Sequence, residues 1–114
     1  MIRPDEIYLA SFPFGDTAGM KLRPVLTLTE PVGIVPEVLV AYISSAIPST
    51  LLKTDILLDP STAEHSATKL RTKSALRLHK LATIHRSAIV RRLGILPAAL
   101  KSEVDDKLRG LLEL

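Results

Sequence analysis

The sequence predicts a mainly β domain with one α-helix: a small, strongly bent sheet or barrel capped by a C-terminal helix. Three observations predict it. Short runs rich in branched residues recur between clusters of Gly, Pro, Ser and Asp. Only the C-terminal segment carries apolar residues at helical spacing. The length, 114 residues, suits one core and not two, so a single domain over residues 1–114 is expected.

Each element has its own reason. Glu6 to Phe12, EIYLASF, alternates and holds branched and aromatic residues, as a strand does. PFGDTAGMKL is a polar, glycine-containing loop, and Pro24 to Thr29 is a second strand. Pro31, Gly33 and Pro36 mark a turn before Val38 to Ser45, VLVAYISS, the clearest strand in the chain. Thr54 to Leu58 is a short strand closed by Asp59-Pro60. After the polar STAEHSATK, Ser74 to Ile84 is a strand with room for a helical turn behind it, and Ala88 to Leu93 is a last strand ended by Gly94. Pro97 suits the first position of a helix. Leu100, Val104, Leu108 and Leu111 or Leu112 then recur at spacings of three and four, with charged residues on the other sides.

Composition narrows the function classes. Apolar residues make up 46% of the chain, aromatics 4%, and Trp is absent, so the core is built from Leu, Ile, Val and Ala. Such apolar content in so short a chain favours a homodimer, a second copy covering part of the surface. The absence of cysteine removes disulfides and thiolate metal sites and fits a reducing cytoplasm. Arg3, Asp5 and Glu6 interrupt the start before a signal peptide can develop. The longest uncharged stretch, Val38 to Leu52, is too short to span a bilayer and contains Pro48, so no membrane association is expected.

Net charge is only +3, but its distribution is one-sided. From His65 to Ser102 there is no Asp or Glu, while nine Lys and Arg and all three histidines fall there. A block of this kind suggests a polyanionic partner. A solvated basic face, balanced in space by the acidic N-terminal half, explains it equally well on charge alone.

Most enzyme signatures are missing: no phosphate-binding glycine loop, no His pair at ligand spacing on a helix, no nucleophile elbow. What remains are polar residues on strands that otherwise read as buried. In SALRLHKLATI, residues 74–84, Arg77 and His79 share one face with Ala75, and Leu76 and Leu78 share the other. Together they offer a fixed cation and a group that exchanges protons near neutral pH; taken alone, two exposed residues on a polar face is the simpler account. Ser44 closes its strand, which a poor strand former does anyway, or places a hydroxyl at the sheet rim. Glu6 is a lone acid at a strand start. Arg23 stands at the mouth of a strand, its entry restricted by Pro24.

In this order and spacing, DEIYLASF, RPVLTL, AYISS, SALRLHKLATI, RRLGILP and the closing helix resemble the MazF/PemK family of toxins from bacterial toxin–antitoxin pairs. The likeness runs through nearly the whole chain: Glu6 matches the family's acidic residue, Arg23-Pro24 its arginine–proline motif, and Ser44 its strand-end hydroxyl. It implies an SH3-like β-barrel with a C-terminal helix, usually a homodimer. The implied activity is endoribonuclease cleavage of single-stranded mRNA without metal or other cofactor, leaving a cyclic phosphate and blocked by a cognate antitoxin protein. The sequence departs from the family at Asp5, where a glycine is common, at Ser44, where threonine is common, and at His79, where the PemK branch has an aspartate two positions after its arginine. The expected roles are His79 in proton transfer, Arg77 and Arg23 as a phosphate clamp, and Ser44 as a hydrogen-bonding partner of the phosphate. Glu6 would hold an arginine or the histidine, or serve as the alternative base. The competing expectation is a non-cleaving binder of the same fold, either a degenerate member or a CcdB-like gyrase-binding toxin; the absence of Trp counts against the latter.

Overall fold

The computed structural model describes residues 1–12 and 21–114. Six strands form one antiparallel sheet: β1 (Glu6–Phe12), β2 (Lys21–Thr27), β3 (Glu37–Ser44), β4 (Asp55–Leu58), β5 (Ser74–His85) and β6 (Ile89–Ile95). Helix α1 (Lys101–Leu112) follows. The order across the sheet is β4-β5-β3-β2-β1-β6, so β4 and β6 are its edges and it stays open rather than closing as a barrel. Most of the loop expected over residues 13–22 lies outside the described residues.

Both faces of this sheet are covered, which is why its strands read as nearly unbroken apolar runs. Ile7, Leu26, Ala41, Ile43, Leu76 and Leu78 point to one side, where Val104 of α1 packs on them. Tyr8, Ala10, Val25, Val38 and Val40 point to the other, under Ile2 and Ile84. Neighbours such as Val25 and Leu26 are therefore both fully buried on opposite faces. The helix leans on the sheet through its first two turns: Val104 is buried and Leu100 and Leu108 pack beside it, whereas Leu111 and Leu112 stay exposed. The helical stripe thus ends sooner than the spacing predicts. Pro97 precedes a 3-10 turn, Ala98–Leu100, and α1 itself starts at Lys101.

Three departures from the sequence expectation have local causes. Gly94 does not end β6 but lies inside it; a Cβ there would sit 2.4 Å from the carbonyl oxygens of Ala67 and Thr68, so only glycine lets the 66–68 turn pack against the strand. Asp5, where the toxin pattern favours glycine, has φ of 63°, a left-handed conformation that glycine takes freely and Asp tolerates better than most residues. β2 begins at Lys21, ahead of Pro24, because Lys21, Leu22 and Arg23 pair with β1; its ladder to β3 starts only at Val25, just after the residue that has no N–H to donate. Before Val25 the edge of β2 that faces β3 is open, and Arg23 stands on that open stretch.

β5 is bent where it matters most for the site. Ala41 of β3 faces Leu81, but the next residue, Tyr42, faces Arg77, so Leu78, His79 and Lys80 are extra residues on β5. The Leu78 amide turns instead to the Thr54 carbonyl at 3.0 Å, toward the β4 side. Bulges of this kind re-aim side chains, and this one carries His79.

Candidate functional site

Residues directly opposite one another in an antiparallel sheet share a face. Asp55, Arg77, Tyr42, Val25 and Tyr8 therefore form one row across β4, β5, β3, β2 and β1, and Arg23 and Ser44 lie on the same face one row further on. The sheet thus places Arg23, Ser44 and Arg77 on one face, with β3 between the two arginines. At about 4.8 Å per strand across and about 3.4 Å per residue along, that is a separation of about 12 Å between their backbones.

Arg77 is held by a carboxylate that the sequence reading passed over. Its Nε donates to Asp55 Oδ1 at 2.9 Å and its Nη2 reaches Oδ2 at 3.5 Å, with the Asp55 side chain wholly buried and that of Arg77 16% exposed. Burial acts to raise the Asp55 pKa, but the Leu52 amide, 2.8 Å from Oδ2, and the Arg77 guanidinium outweigh it, so the carboxyl titrates below its ordinary range. Further along the strand, His79 Nδ1 lies 2.8 Å from Thr54 Oγ1, which leaves Nε2 as the other ring nitrogen. Arg77 and His79 thus both turn to the start of β4, where Asp55 gives one a buried acid and Thr54, just before the strand, gives the other a hydroxyl.

Ser44 is buried at the strand end. Its Oγ accepts from the Ala46 amide at 3.1 Å, which closes the strand in a local turn. Glu6 is apart from the rest: β2 and β3 separate its strand from β5. It accepts from the Arg3 amide at 2.8 Å and the Tyr8 hydroxyl at 3.0 Å, and pairs with Arg92 Nε at 2.8 Å. Burial acts to raise its pKa and these donors outweigh it, so Glu6 is a weaker base than an ordinary glutamate. Of the two partners expected for it, it holds an arginine, Arg92, and not His79.

Arg23 opens a second region. A cavity of about 610 Å³ lies at the open stretch of β2, between Arg23, Pro24, Ile43 and Ser45 on one side and residues 69–72 and β6 on the other. Among the described residues five cations line it, Arg23, Lys69, Arg71, Arg91 and Arg92, and no carboxylate does. Among the described residues only Arg92 of these five is in an ion pair. The Arg23 Nε is buried without a hydrogen-bond partner among the described residues, an arrangement that leaves a donor waiting for an acceptor. The acid-free block is thus only partly a balanced surface: Arg77, Arg92 and Lys101 have acidic partners, while Lys69, Arg71 and Arg91 converge on one cavity. Among the described residues no three His, Asp or Glu side chains form a group that could hold a metal ion, and no helix is long and apolar enough to cross a membrane.

The profile of the family described as PemK-like, MazF-like toxin of type II toxin-antitoxin system matches residues 3–112. The chain belongs to that family. Solved structures agree with the fold of this toxin. The Mycobacterium tuberculosis toxin MazF-mt6 superposes with a TM-score of 0.73 at 23% identity, covering 96% of this chain and 97% of that one. An endoribonuclease in complex with its cognate antitoxin, from Mycobacterial species, gives 0.69 at 14% identity over 100% and 97% of the two chains. A further endoribonuclease from Mycobacterial species gives 0.67 at 13% over 99% and 92%. No curated protein matches the sequence.

Asp55, Thr54, Lys69, Arg71 and Arg91 are the residues of this toxin's polar clusters that the sequence reading did not single out. One signal for Asp55 was available: an aspartate inside a run that otherwise reads as strand is out of place unless a partner fixes it. Lys69, Arg71 and Arg91 were visible only as members of the acid-free block, because their convergence depends on bringing residues 69–72 against β6.

Proposed function

We propose that the protein is an endoribonuclease toxin that cleaves single-stranded mRNA by attack of a ribose 2′-hydroxyl on the adjacent phosphorus, and that a cognate antitoxin protein inhibits it. The observation that supports this reading most is the pair Arg77 and His79, two residues apart on β5 and held by Asp55 and Thr54, in a chain of the toxin family. With His79 Nδ1–H donating to Thr54 Oγ1, Nε2 carries a lone pair and takes the proton of the 2′-hydroxyl. The oxygen attacks phosphorus, the bond to the leaving 5′-oxygen breaks, and that oxygen takes a proton from water, whose hydroxide is neutralised by the proton His79 then gives up. The products are a 2′,3′-cyclic phosphate and a 5′-hydroxyl. The free edge of Arg77 and the Arg23 fork stabilise the charge gathering on the phosphorane, with Ser44 on the strand between them. Each proton-transfer group is worth about 10²–10⁴-fold, and placed charge about as much. No step needs a metal. Glu6 orients Arg92 and moves no proton. The toxin acts as a homodimer in the cytoplasm, where mRNA and antitoxin are met.

One observation favours a second reading, a family member that binds RNA without cutting: the Nε edge of Arg77 is already taken by Asp55. Incubating the purified protein with mixed RNA in excess EDTA separates the two. Cleavage supports the nuclease; intact RNA with binding retained supports the binder. Growth arrest on expression, relieved by co-expressing the neighbouring small gene, tests the antitoxin.

A further inference from the structure

We propose that Lys69, Arg71 and Arg91 form a phosphate-binding subsite for the RNA strand beyond Arg23, on the far side of that residue from the Arg77–His79 pair. The inference rests on the nuclease reading and says where the strand runs. Three features carry it. The cavity at the open stretch of β2 is lined by cations from three separate segments and, among the described residues, by no carboxylate. Lys69, Arg71 and Arg91 are exposed and, among the described residues, in no ion pair, so they are available to a mobile ligand at no cost in broken pairs. Arg23 joins the cavity to the sheet face that bears Ser44 and Arg77, and its buried Nε lacks an acceptor.

The ligand this suits is a flexible polyanion with flat apolar parts. Leu9, Ile43, Leu70 and Leu93 line the cavity beneath the cations, and the hydroxyls of Ser45 and Thr72 stand at its edge. Single-stranded RNA is commonly held with its bases splayed out and stacked on flat side chains, Arg guanidinium planes among them; Arg71 and Arg91 offer such planes here, above the apolar floor. An acidic protein segment is the competing occupant. The nucleic acid is favoured because arginines arranged around a site recognise phosphates through planar, forked donors, and their guanidinium planes also stack on bases.

The test is the salt dependence of binding to a short mixed-sequence oligoribonucleotide carrying 2′-O-methyl groups, which lacks the attacking hydroxyl. For a single strand, each phosphate contact contributes about 0.7 to the slope of log affinity against log salt. Arg71→Gln and Arg91→Gln should each lower the slope by about 0.7, and the double variant by about 1.4. Lys53→Gln, beside α1 and away from the cavity, should leave the slope unchanged. Thermal unfolding should be unaltered throughout, since all three positions are exposed. Slopes unchanged in the Arg71 and Arg91 variants, with wild-type binding intact, overturn the subsite while sparing the nuclease reading. The same variants losing affinity for a poly-glutamate peptide while keeping the RNA slope overturn it in favour of an acidic protein partner. A wild-type protein that binds no RNA overturns the nuclease reading as well.

Discussion

Replacing Asp55 with Ala strands the Arg77 guanidinium in a mostly buried place. The Asp55 carboxylate is wholly buried and takes donors from Arg77 at 2.9 Å and from the Leu52 amide at 2.8 Å. Removing one partner of a buried ion pair typically costs about 3–5 kcal/mol, because the other charge is left uncompensated. Arg77 keeps 16% of its side chain in solvent, which places the expectation at the low end, about 3 kcal/mol. For a domain of this size, with an unfolding entropy of about 2.1 cal/mol/K per residue, that loss lowers the midpoint by roughly 12 °C. Urea unfolding by circular dichroism reads it directly. Asp55→Ala/Arg77→Met should be more stable than Asp55→Ala alone, since both charges are gone. The pH dependence has a definite sign. The folded pKa of Asp55 lies below its unfolded value, so the unfolded chain binds more protons in between. Its stabilisation is present above about pH 4 and is lost as pH falls through the folded pKa. The Asp55→Ala variant should lack this part of the acid sensitivity. An Asp55→Ala protein within about 0.5 kcal/mol of wild type would refute the idea that Arg77 depends on this carboxylate.

The other predictions follow from single contacts. His79→Ala should lose about 10²–10⁴-fold in cleavage rate while oligonucleotide affinity changes little, and Thr54→Val should lower the rate in the same direction by freeing the imidazole; single-turnover kinetics checks both. Glu6→Gln should stay within a few-fold of the wild-type rate, because Glu6 is bonded to Arg92, Tyr8 and the Arg3 amide and lies strands away from His79; a loss as large as that of His79→Ala would make it the base. Gly94→Ala should destabilise by about 1–3 kcal/mol, since its Cβ meets backbone at 2.4 Å, whereas Gly110→Ala in α1, with nothing within 4 Å of the added Cβ, should stabilise slightly; thermal unfolding of the two variants compares them. Arg23→Ala should weaken both cleavage and oligonucleotide binding without loss of stability, because the group removed has no partner at Nε in the free protein.

The strands were legible because their signal is local. VLVAYISS and EIYLASF carry enough branched and aromatic residues to mark β3 and β1 to within a residue. The ends of β2 and β6 were not legible: whether Lys21–Arg23 pair, and whether Gly94 interrupts a strand, depends on what lies beside them. Alternation puts Arg77 and His79 on one face, since two residues apart on a strand is a local relation, but the bulge over residues 78–80, which also brings Lys80 over the Tyr42 ring, interrupts that alternation. The partners were hidden for the opposite reason. Asp55 is 22 residues from Arg77 and Thr54 is 25 from His79; the β4–β5 register joins the first pair, and the bulge that turns the Leu78 amide to the Thr54 carbonyl brings in the second. Asp5 shows the limit of a family pattern: the missing glycine looked like a departure, yet the backbone keeps the conformation glycine would supply.

The most direct measurement is the chemistry of the RNA ends. Single-stranded RNA is incubated with the purified protein in excess EDTA, and the new termini are analysed beside those from the His79→Ala protein. The account predicts 2′,3′-cyclic phosphate and 5′-hydroxyl ends with the wild-type protein and their near-disappearance with the variant. RNA left intact by the wild type, or cut to 3′-hydroxyl and 5′-phosphate ends, would contradict it.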